Sequence, residues 1–361
     1  MKSAKTFLSI SFGCRVNAAE TNQWSQILIN QGFVPYSRDV LQNVSTSPSI
    51  ILINTCAITK KGEKESINKV KQLRQLYPKA KIYVSGCADF KKIEKLSNIK
   101  LFKNNQKEEL LNQLKSLYSP NIKDKFSNTK RYILKVQSGC TQFCSYCIVP
   151  FKRNYLWSLP IKDAVNTVNQ TIKNNYIELI ITGVNLDQYE YGFSNLLESL
   201  LKETDINLIS FGSIPINCID NKFIKLIKKY PDRIQHFFHI PIQSGSDKIL
   251  KLMNRPYTKS DILNKFNKLK KIIPRPVKGG ARGGFHFGTD IIVGFPTETE
   301  KDFQETLDLC KEIGFTKIHT FPFSPRPSTK ARIIFENSNK ISKEIIKSRS
   351  IQIRNLISQQ I

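Results

Sequence analysis

The sequence predicts an α/β protein in two parts, an N-terminal parallel-sheet α/β domain followed by a partial (β/α)6 barrel. Apolar runs of strand length alternate with amphipathic runs of helix length, a pattern typical of parallel sheets covered by helices. A polar segment rich in turn formers, at 119–130, separates a shorter series of these elements from a longer one and is predicted to be a linker. The longer series has six β/α units, too few to close a barrel.

The first domain is predicted to occupy residues 1–118. Its predicted strands are "KTFLSISFG", "SIILINTC", "KIYVSGC" and "IKLFKN", and its helices are "AAETNQWSQILINQG", "KGEKESINKVKQLRQLYP" and "KEELLNQLKSLY". The first two helices stop at Gly32 and Pro78, residue types that commonly end helices. The N-terminus has only a short apolar run and no small-residue cleavage site, which predicts a first strand rather than a signal peptide.

The barrel is predicted to occupy residues 131–335. Its strands are "RYILKVQ", "IELIITG", "NLISFGSI", "HFFHIPIQ", "FGTDIIVGF" and "KIHTFPFS", and its helices include "NKFIKLIKKYP", "SDILNKFNKLKKI" and "TEKDFQETLDLCKEIG". A glycine-rich stretch, "IPRPVKGGARGGFHFG", interrupts the series and is predicted to be a surface insertion. Alternatively, Lys278 and Arg282 in this stretch contact RNA phosphates. Residues 336–361 are predicted to form a basic C-terminal helix.

The charge balance favours a polyanionic partner. The chain has 361 residues, and 56 Lys and Arg stand against 29 Asp and Glu, a net charge of +27. Such an excess favours nucleic acid, although lysines on solvated faces would give the same composition. No apolar run reaches the roughly 18 residues of a membrane helix. We therefore expect a cytoplasmic protein without a membrane partner, whose eight cysteines are metal ligands or reactive groups rather than disulfides.

Three of these cysteines lie within the stretch "VQSGCTQFCSYCIVPF". Cys140, Cys144 and Cys147 have the spacing Cys-x3-Cys-x2-Cys and directly follow a predicted strand. A structural zinc site needs four ligands, whereas three thiolates can hold a [4Fe–4S] cluster and leave one iron open for chemistry. The spacing therefore favours a catalytic cluster over a zinc site completed by a distant Cys or His.

A second group of cysteines follows three strands of the first domain. Cys14, Cys56 and Cys87 each come directly after a predicted strand. Because the carboxyl ends of parallel strands lie on one edge of a sheet, the three thiols are expected to converge there as a second cluster site. The other two cysteines, Cys218 and Cys310, are predicted to be structural, and the four histidines form no recognisable zinc or nucleophile pattern.

The Cys-x3-Cys-x2-Cys motif, with Tyr146 before its last cysteine, resembles the radical S-adenosylmethionine enzymes. In that family the methionine moiety chelates the open iron, and reductive cleavage gives a 5′-deoxyadenosyl radical. The two three-cysteine sites in this order resemble the methylthiotransferases, over roughly residues 5–335. The resemblance implies two [4Fe–4S] clusters and S-adenosyl-L-methionine. Supporting segments are "ITGVNL", "FGSIP", "HIPIQSGSDKILKLMNR", "TDIIVGFPTETEKDF" and "FPFSPRPST".

The resemblance also implies roles for individual residues. Counterparts of "ITGVNL" and "IIVGFP" line the S-adenosylmethionine pocket in the wider family, so the predicted cofactor-binding residues are Tyr146, Gly183, Asn185, Ser213, Gln243 and Gly294. Barrel packing or a turn would explain the last five equally well. The basic pair Lys152 and Arg153, after the third cysteine, is predicted to contact RNA. Ser138 departs from the Asp that the family often has at this position.

The motifs "GCRVN" and "NTCAIT" resemble the branch that modifies N6-threonylcarbamoyladenosine at tRNA position 37. This implies transfer of a methylthio group to C2 of that base in the anticodon loop, with an electron donor such as flavodoxin or ferredoxin and a sulfur donor. Three alternatives stay open: the isopentenyladenosine branch, the branch acting on an aspartate of a ribosomal protein, and a non-catalytic iron–sulfur RNA-binding protein. Most members continue into a small C-terminal β-barrel, which this sequence is predicted to lack.

Overall fold

The computed structural model describes residues 5–36, 47–117, 130–272 and 285–358. The chain divides into a first unit, residues 1–135 with 151–155, and a second unit, residues 136–150 with 156–361. The linker predicted at 119–130 lies, apart from Lys130, outside the described residues. No helix among the described segments is both long and apolar enough to span a membrane.

The first unit is built on a five-stranded sheet in the order β2-β1-β3-β4-β5, with all neighbouring strands parallel. The strands are β1 (Thr6–Ser11), β2 (Val34–Pro35), β3 (Ile50–Thr55), β4 (Lys81–Gly86) and β5 (Ile99–Phe102). The helices are α1 (Arg15–Asn30), α2 (Lys60–Leu76) and α3 (Lys107–Lys115). The predicted parallel sheet is confirmed, and the two-residue β2 is an addition that its length hid from sequence patterns.

The central strand β3 explains why its sequence is a continuous apolar run. Both of its faces are covered, so all six residues are buried. Leu52 packs on one face with Trp24 of α1, whereas Ile53 packs on the other with Val70 of α2. Because side chains alternate between the faces of a strand, one short segment supplies both cores.

The strand register places three strand ends level with one another. Asn54 near the end of β3 pairs with Ser11 of β1 on one side and with Ser85 of β4 on the other. The three loops that follow these strands therefore leave the same edge of the sheet.

The second unit contains a four-stranded sheet in the order β7-β6-β8-β9 and a three-stranded parallel sheet in the order β10-β11-β12. The strands are β6 (Arg131–Ser138), β7 (Trp157–Ser158), β8 (Glu178–Gly183), β9 (Leu208–Phe211), β10 (Phe237–His239), β11 (His286–Val293) and β12 (Lys317–Pro322). A parallel bridge between Ile209 and Ile234 continues the series from β9 towards β10. The predicted partial barrel is confirmed, with the short β7 added antiparallel to β6.

Nine helices of the described chain accompany these strands. They are α4 (Val149–Lys152), α5 (Ile161–Lys173), α6 (Phe193–Glu203), α7 (Asn221–Lys229), α8 (Asp247–Leu252), α9 (Lys259–Lys270), α10 (Glu300–Ile313), α11 (Lys330–Asn337) and α12 (Lys343–Ser358). The strand predicted through Gln243 ends earlier, at His239, because Pro241 has no N–H to continue the ladder with β11. Gln243 itself has a positive φ of 69°, outside the strand region. The glycine-rich insertion lies mostly outside the described residues.

Candidate active site

The Cys-x3-Cys-x2-Cys loop of the second unit follows β6 and is fixed by hydrogen bonds to its backbone. Gly139 and Phe143 adopt positive φ values of 85° and 47°, which bend the chain sharply after the strand. The Asn254 side-chain amide donates to the carbonyl of Phe143 at 3.1 Å and so supports this unfavourable conformation. The Cys147 N–H donates to the Cys144 carbonyl at 2.9 Å, which closes a turn that carries both thiols.

A cavity of about 210 Å³ lies beside this loop. Its wall includes all three cysteines and five of the predicted cofactor-binding residues, Tyr146, Gly183, Asn185, Ser213 and Gln243. The structure therefore brings together residues that are up to 103 positions apart, from Cys140 to Gln243. Their roles towards a cofactor stay predictions, but their placement in one cavity is a structural fact.

Asn185 connects the cavity wall to the first cysteine. Its side-chain amide donates to Cys140 Sγ at 3.6 Å, and its backbone N–H donates to Gln137 Oε1 at 2.8 Å. A side chain at Gly183 would come within 2.7 Å of Leu186 Cδ2 and 3.0 Å of Gln137 Cβ, so only glycine fits there. This close packing places the Asn185 amide against the thiol.

Gln243 and Tyr146 occupy the cavity wall in different ways. The Gln243 backbone is held between the Asp290 carbonyl, at 2.9 Å, and the Ile292 N–H, at 3.0 Å, in its left-handed conformation. Such strain in a non-glycine residue is often found at functional sites. Tyr146 also packs against a core cluster that contains Ile292, and burial raises the pKa of its hydroxyl well above the usual range. The Tyr146 hydroxyl therefore stays neutral.

Arg255 is a charged group of this site that the sequence analysis did not select. Its Nη1 donates to Cys144 Sγ at 3.2 Å, its Nε donates to the Tyr257 hydroxyl at 2.7 Å, and its guanidinium lies 4.9 Å from the centre of that ring. Burial alone would lower the pKa of Arg255, but Tyr146, Tyr257 and Cys144 raise it overall. The charged guanidinium stabilises a thiolate. The only sequence signal is a single arginine at the end of "HIPIQSGSDKILKLMNR".

Burial favours the protonated form of two thiols of this loop, Cys140 and Cys147. Burial raises the pKa of Cys147 to about 12 and also raises the pKa of Cys140. Because a metal binds the thiolate, loading iron on this loop must displace protons from sulfur.

Gly294, predicted to line the S-adenosylmethionine pocket, is not among the residues of this cavity wall. It has a positive φ of 72°, and a Cβ atom there would lie 2.6 Å from Ile346 Cγ1 on α12. Its N–H donates to Glu298 Oε2 at 2.8 Å. Gly294 allows α12 to pack closely on the end of β11, and its role towards S-adenosylmethionine stays a prediction.

The first unit brings its three cysteines to the sheet edge where β1, β3 and β4 end. Cys14 directly precedes α1, and its carbonyl accepts a hydrogen bond from the Ala18 N–H at 3.2 Å. A Cβ atom on Gly13 would lie 2.5 Å from Cys56 Sγ, so only glycine allows the Cys14 loop to approach Cys56 this closely. Cys87 interacts electrostatically with Cys14, and its Sγ accepts from the Asn104 side-chain amide at 3.6 Å.

A buried polar network lies directly behind these cysteines. The Asn17 side-chain amide donates to the carbonyls of Phe12 at 2.8 Å and Thr55 at 2.9 Å, which ties the loop before Cys14 to the strand before Cys56. Glu20, one turn further along α1, accepts from the Asn54 side chain at 3.1 Å. These contacts explain why polar residues are buried at the end of the sheet.

Arg153, predicted to contact RNA, belongs to this network. It is only 1% exposed and makes two hydrogen bonds to Glu20, from Nη1 at 2.9 Å and from Nη2 at 3.0 Å. A buried guanidinium paired in this way cannot reach RNA phosphates, so this prediction is wrong. Lys152 is half-buried and remains a predicted contact. Lys278 and Arg282 lie outside the described residues.

Within the described residues, one further group of side chains has the composition of a metal site: His239, Asp290 and His319. Asp290 Oδ1 lies 2.9 Å from His239 Nε2 and 3.2 Å from His319 Nδ1. Two imidazole N–H groups donating to one carboxylate oxygen account for this arrangement. The sequence analysis found no pattern among the histidines because the three residues come from separate strands.

A partial barrel with a Cys-x3-Cys-x2-Cys loop after its first strand defines a radical S-adenosylmethionine enzyme. The family described as "Radical SAM superfamily" matches residues 134–310. This family implies a [4Fe–4S] cluster and S-adenosylmethionine, and their placement on Cys140, Cys144 and Cys147 stays a prediction. Residues 6–119 match "Uncharacterized protein family UPF0004".

Curated relatives show which family of radical S-adenosylmethionine enzymes the chain resembles. The "Threonylcarbamoyladenosine tRNA methylthiotransferase MtaB" of Aquifex aeolicus is 32% identical, over 89% of this chain and 81% of the relative. The protein of the same name from Chlamydia pneumoniae is also 32% identical, over 95% and 80%. The "tRNA-2-methylthio-N(6)-dimethylallyladenosine synthase" of Thermodesulfovibrio yellowstonii is 30% identical, over 96% and 81%. The chain belongs to the methylthiotransferase family of radical S-adenosylmethionine enzymes.

Among solved structures, the radical S-adenosylmethionine methyltransferase TsrM from Kitasatospora setae has a similar fold. Its TM-score is 0.65 at 11% sequence identity, and the match covers 98% of this chain and 91% of that one. At this identity the similarity concerns the fold alone.

Proposed function

We propose that this protein transfers a methylthio group to C2 of N6-threonylcarbamoyladenosine at position 37 of tRNA, in the anticodon loop. The observation that carries the proposal is the pair of three-cysteine sites, one in each unit, in a chain 32% identical to relatives named for this reaction. A hydrogen on an aromatic carbon is not acidic, so acid–base catalysis cannot activate C2. Radical chemistry can, and the family's cofactors supply it.

In the second unit, the side chains around the cavity bind and orient the reacting groups. Cys140, Cys144 and Cys147 would hold the [4Fe–4S] cluster, which would supply the electron for reductive cleavage of S-adenosylmethionine. Asn185 and Arg255 donate hydrogen bonds to the sulfurs of Cys140 and Cys144, contacts that fix ligand orientation and tune a metal site. The left-handed Gln243 backbone shapes the opposite part of the wall. Tyr146 adds apolar packing beside the cysteines and limits access of water.

In the first unit, Cys14, Cys56 and Cys87 fit a second [4Fe–4S] cluster. Their donor set is all sulfur, which suits an iron–sulfur centre. They follow three strands that end at one sheet edge, and Gly13 is the residue that lets two of their loops meet. With three thiolates, one iron would remain open. This cluster, when bound, provides the place where sulfur for the methylthio group is held.

The substrate and partners follow from the same relatives and from charge. A net charge of +27 suits an RNA polyanion, and a base in an anticodon loop is reached outside a continuous stack. The reaction also needs an electron donor, such as flavodoxin or ferredoxin, and a sulfur donor, and it takes place in the cytoplasm where tRNA is modified.

The second candidate function is the same chemistry on isopentenyladenosine. It is favoured by the relative from Thermodesulfovibrio yellowstonii, whose name specifies a dimethylallyl-adenosine product and which matches 96% of this chain. The motifs "GCRVN" and "NTCAIT" favour the threonylcarbamoyl substrate instead.

The reaction of the purified protein separates these functions. The protein is reconstituted anaerobically with iron and sulfide, then supplied with a reductant, S-adenosylmethionine and anticodon stem-loops that carry either modified adenosine. We expect a methylthio product from the threonylcarbamoyl stem-loop at a rate at least tenfold above that from the isopentenyl one. Preference for the isopentenyl stem-loop would contradict the proposed substrate.

Two triple-cysteine variants separate the roles of the two cysteine sites. The Cys140→Ala, Cys144→Ala, Cys147→Ala variant is expected to lose both cleavage of S-adenosylmethionine and product. The Cys14→Ala, Cys56→Ala, Cys87→Ala variant is expected to retain cleavage but form no methylthio product. Cleavage by the parental protein would contradict a non-catalytic binder. Methylation of ribosomal protein with no reaction on either stem-loop would point to the protein substrate.

A further inference from the structure

Arg153 is a full positive charge buried in the first unit. Its guanidinium hydrogen-bonds both oxygens of Glu20, and Nη2 also donates to Asn17 Oδ1 at 2.8 Å. A buried charge is costly unless it is paired, so this geometry calls for an explanation. These three acceptor atoms, two on Glu20 and one on Asn17, fix the guanidinium in one orientation.

Glu20 is shared by two further cations. Lys107 Nζ makes a short ion pair with Glu20 Oε2, and Lys135 Nζ lies 3.1 Å from Glu20 Oε1. Lys107 is 8% exposed, so it too is withdrawn from solvent. The cationic side chains at this end of the sheet therefore outnumber the carboxylate they share.

The three-cysteine site faces this group of cations. The Asn104 side-chain amide donates to Cys87 Sγ and also to the carbonyl of Lys152, the residue before Arg153, at 2.9 Å. Asn17 accepts from Arg153 through its side-chain oxygen, and its side-chain amide donates to the carbonyl of Thr55, the residue before Cys56. The charge of Arg153 interacts with both Cys87 and Cys14. Asn104 and Asn17 thus connect the segment of Arg153 to the Cys87 sulfur and to the backbone beside Cys56.

We propose that Arg153 is a positioning residue whose charge offsets the negative charge of the Cys14, Cys56 and Cys87 thiolates and raises the reduction potential of the cluster they hold. Lys107 and Lys135 reinforce this effect through Glu20. The inference rests on the second cluster of the proposed function. Each thiolate adds negative charge, and reduction adds another, so a fixed cation nearby stabilises the reduced form most.

The alternative is that Arg153 has a purely structural role and only binds its own segment, residues 151–155, to α1. The two roles require different side chains. The structural role needs the fork-shaped guanidinium, which hydrogen-bonds both Glu20 oxygens and which lysine cannot replace. A role in charge compensation needs only a cation at that place, so lysine would preserve it.

The test uses full-length protein carrying Cys140→Ala, Cys144→Ala and Cys147→Ala, so that only the first unit can hold a cluster. Arg153→Gln, Arg153→Lys and the control Lys152→Gln are each added, and iron and sulfide are counted after anaerobic reconstitution. The midpoint potential is then measured by a redox titration followed by electron paramagnetic resonance. We expect Arg153→Gln to shift the potential to more negative values, whereas Arg153→Lys and Lys152→Gln stay near the parent.

Equal shifts in Arg153→Gln and Arg153→Lys, or no shift in either, would overturn the proposal. If Arg153→Gln holds no iron while Arg153→Lys does, the need for charge is supported, and Lys135→Gln then has to show a smaller shift in the same direction. If no protein of the series, the parent included, binds iron in the first unit, the second cluster of the proposed function fails, and the role of Arg153 fails with it.

Discussion

Arg153 shows how far a single residue can depart from its sequence context. A basic residue after a cysteine motif in a chain of charge +27 is reasonably predicted to bind RNA. Its partner Glu20 lies 133 positions earlier, so no local pattern reveals the pair. Arg255 illustrates the converse, because its contact with Cys144 crosses 111 positions and its only sequence signal is one arginine at the end of a longer segment. The sequence shows which residues are charged. It does not show whether a charged side chain is buried in an ion pair or exposed to a partner.

Replacement of Glu20 by Gln is expected to destabilise the first unit in a pH-dependent way. Although burial by itself would raise the pKa of Glu20, Lys107, Arg153 and Lys135 hold it well below the usual range. A depressed carboxylate pKa contributes stability above its unfolded value, near 4.3, and loses it as pH falls through the folded value. Glu20→Gln should therefore cost about 3–5 kcal/mol at pH 7, and less below about pH 4.

Urea unfolding followed by Trp24 fluorescence, in a Trp157→Phe background, measures this difference, because Trp24 is buried in the first unit. The exposed Glu94→Gln serves as the control and should change the unfolding free energy by less than about 0.5 kcal/mol. A cost for Glu20→Gln that stays constant from neutral to acidic pH would contradict the ion-pair explanation.

Gly294→Ala should destabilise the second unit without directly changing the cofactor cavity. Gly294 and Gly314 both have positive φ, 72° and 70°, but only Gly294 has a neighbour that a methyl group would strike. The backbone penalty of about 1 kcal/mol is common to both, so Gly294→Ala should cost measurably more than Gly314→Ala. Thermal unfolding gives the two costs. Loss of affinity for S-adenosylmethionine in the folded Gly294→Ala protein would support the predicted cofactor role of Gly294 instead.

The order and type of the secondary-structure elements could largely be predicted, because central strands such as β3, β4 and β8 are buried and strongly apolar. The convergence of Cys14, Cys56 and Cys87 followed from one rule about parallel strand ends, and the register around Asn54 supplies its geometric basis. What could not be predicted depends on tertiary contact. β7 has only two residues, and β10 ends before Pro241, after which Gln243 takes a left-handed conformation.

Helix α12 is attached to the barrel through a buried ion-pair network. Arg349 donates to Glu298 Oε2 at 2.7 Å and Glu300 Oε2 at 3.0 Å, and its guanidinium lies 5.1 Å from the centre of the Phe303 ring. Removing one partner of a buried pair costs about 3–5 kcal/mol. Arg349→Met should lower the free energy of unfolding by this amount.

The exposed Arg354 on the same helix provides the matched control. Arg354→Met should change stability by less than about 0.5 kcal/mol. Limited proteolysis gives a second measurement, since cleavage within α12 should accelerate in Arg349→Met alone. Equal stability of the two variants would show that apolar packing, rather than Arg349, holds the helix.

Each of the two units holds a group of three cysteines beyond strand ends. In the first unit the cysteines follow three different strands, and in the second unit all three follow β6. Cysteine spacing and strand position predict two sites for iron–sulfur clusters, whereas the reaction class is implied by the resemblance to the methylthiotransferases. Substrate choice could not be predicted, since the relatives named for threonylcarbamoyladenosine and for dimethylallyladenosine match the chain at 32% and 30% identity. Only a few motif residues favour one over the other.

The net charge of +27 makes a prediction for the whole molecule. If it serves RNA binding, the dissociation constant for tRNA should rise about a thousandfold between roughly 50 and 200 mM salt, as for about six phosphate contacts. Fluorescence anisotropy with labelled tRNA measures this, and S-adenosylmethionine affinity over the same range is the control. A salt-independent tRNA affinity would mean that the lysines lie on solvent-exposed faces and take no part in tRNA binding.

The most direct measurement is mass spectrometry of nucleosides from the tRNA of cells that lack this protein. The gene is restored as wild type, as the Cys14→Ala, Cys56→Ala, Cys87→Ala variant, or as the Cys140→Ala, Cys144→Ala, Cys147→Ala variant. We predict that the methylthio form of threonylcarbamoyladenosine disappears with the gene and returns only with the wild type. Its persistence without the gene, or its return with either triple variant, would contradict a methylthiotransferase that needs both cysteine sites.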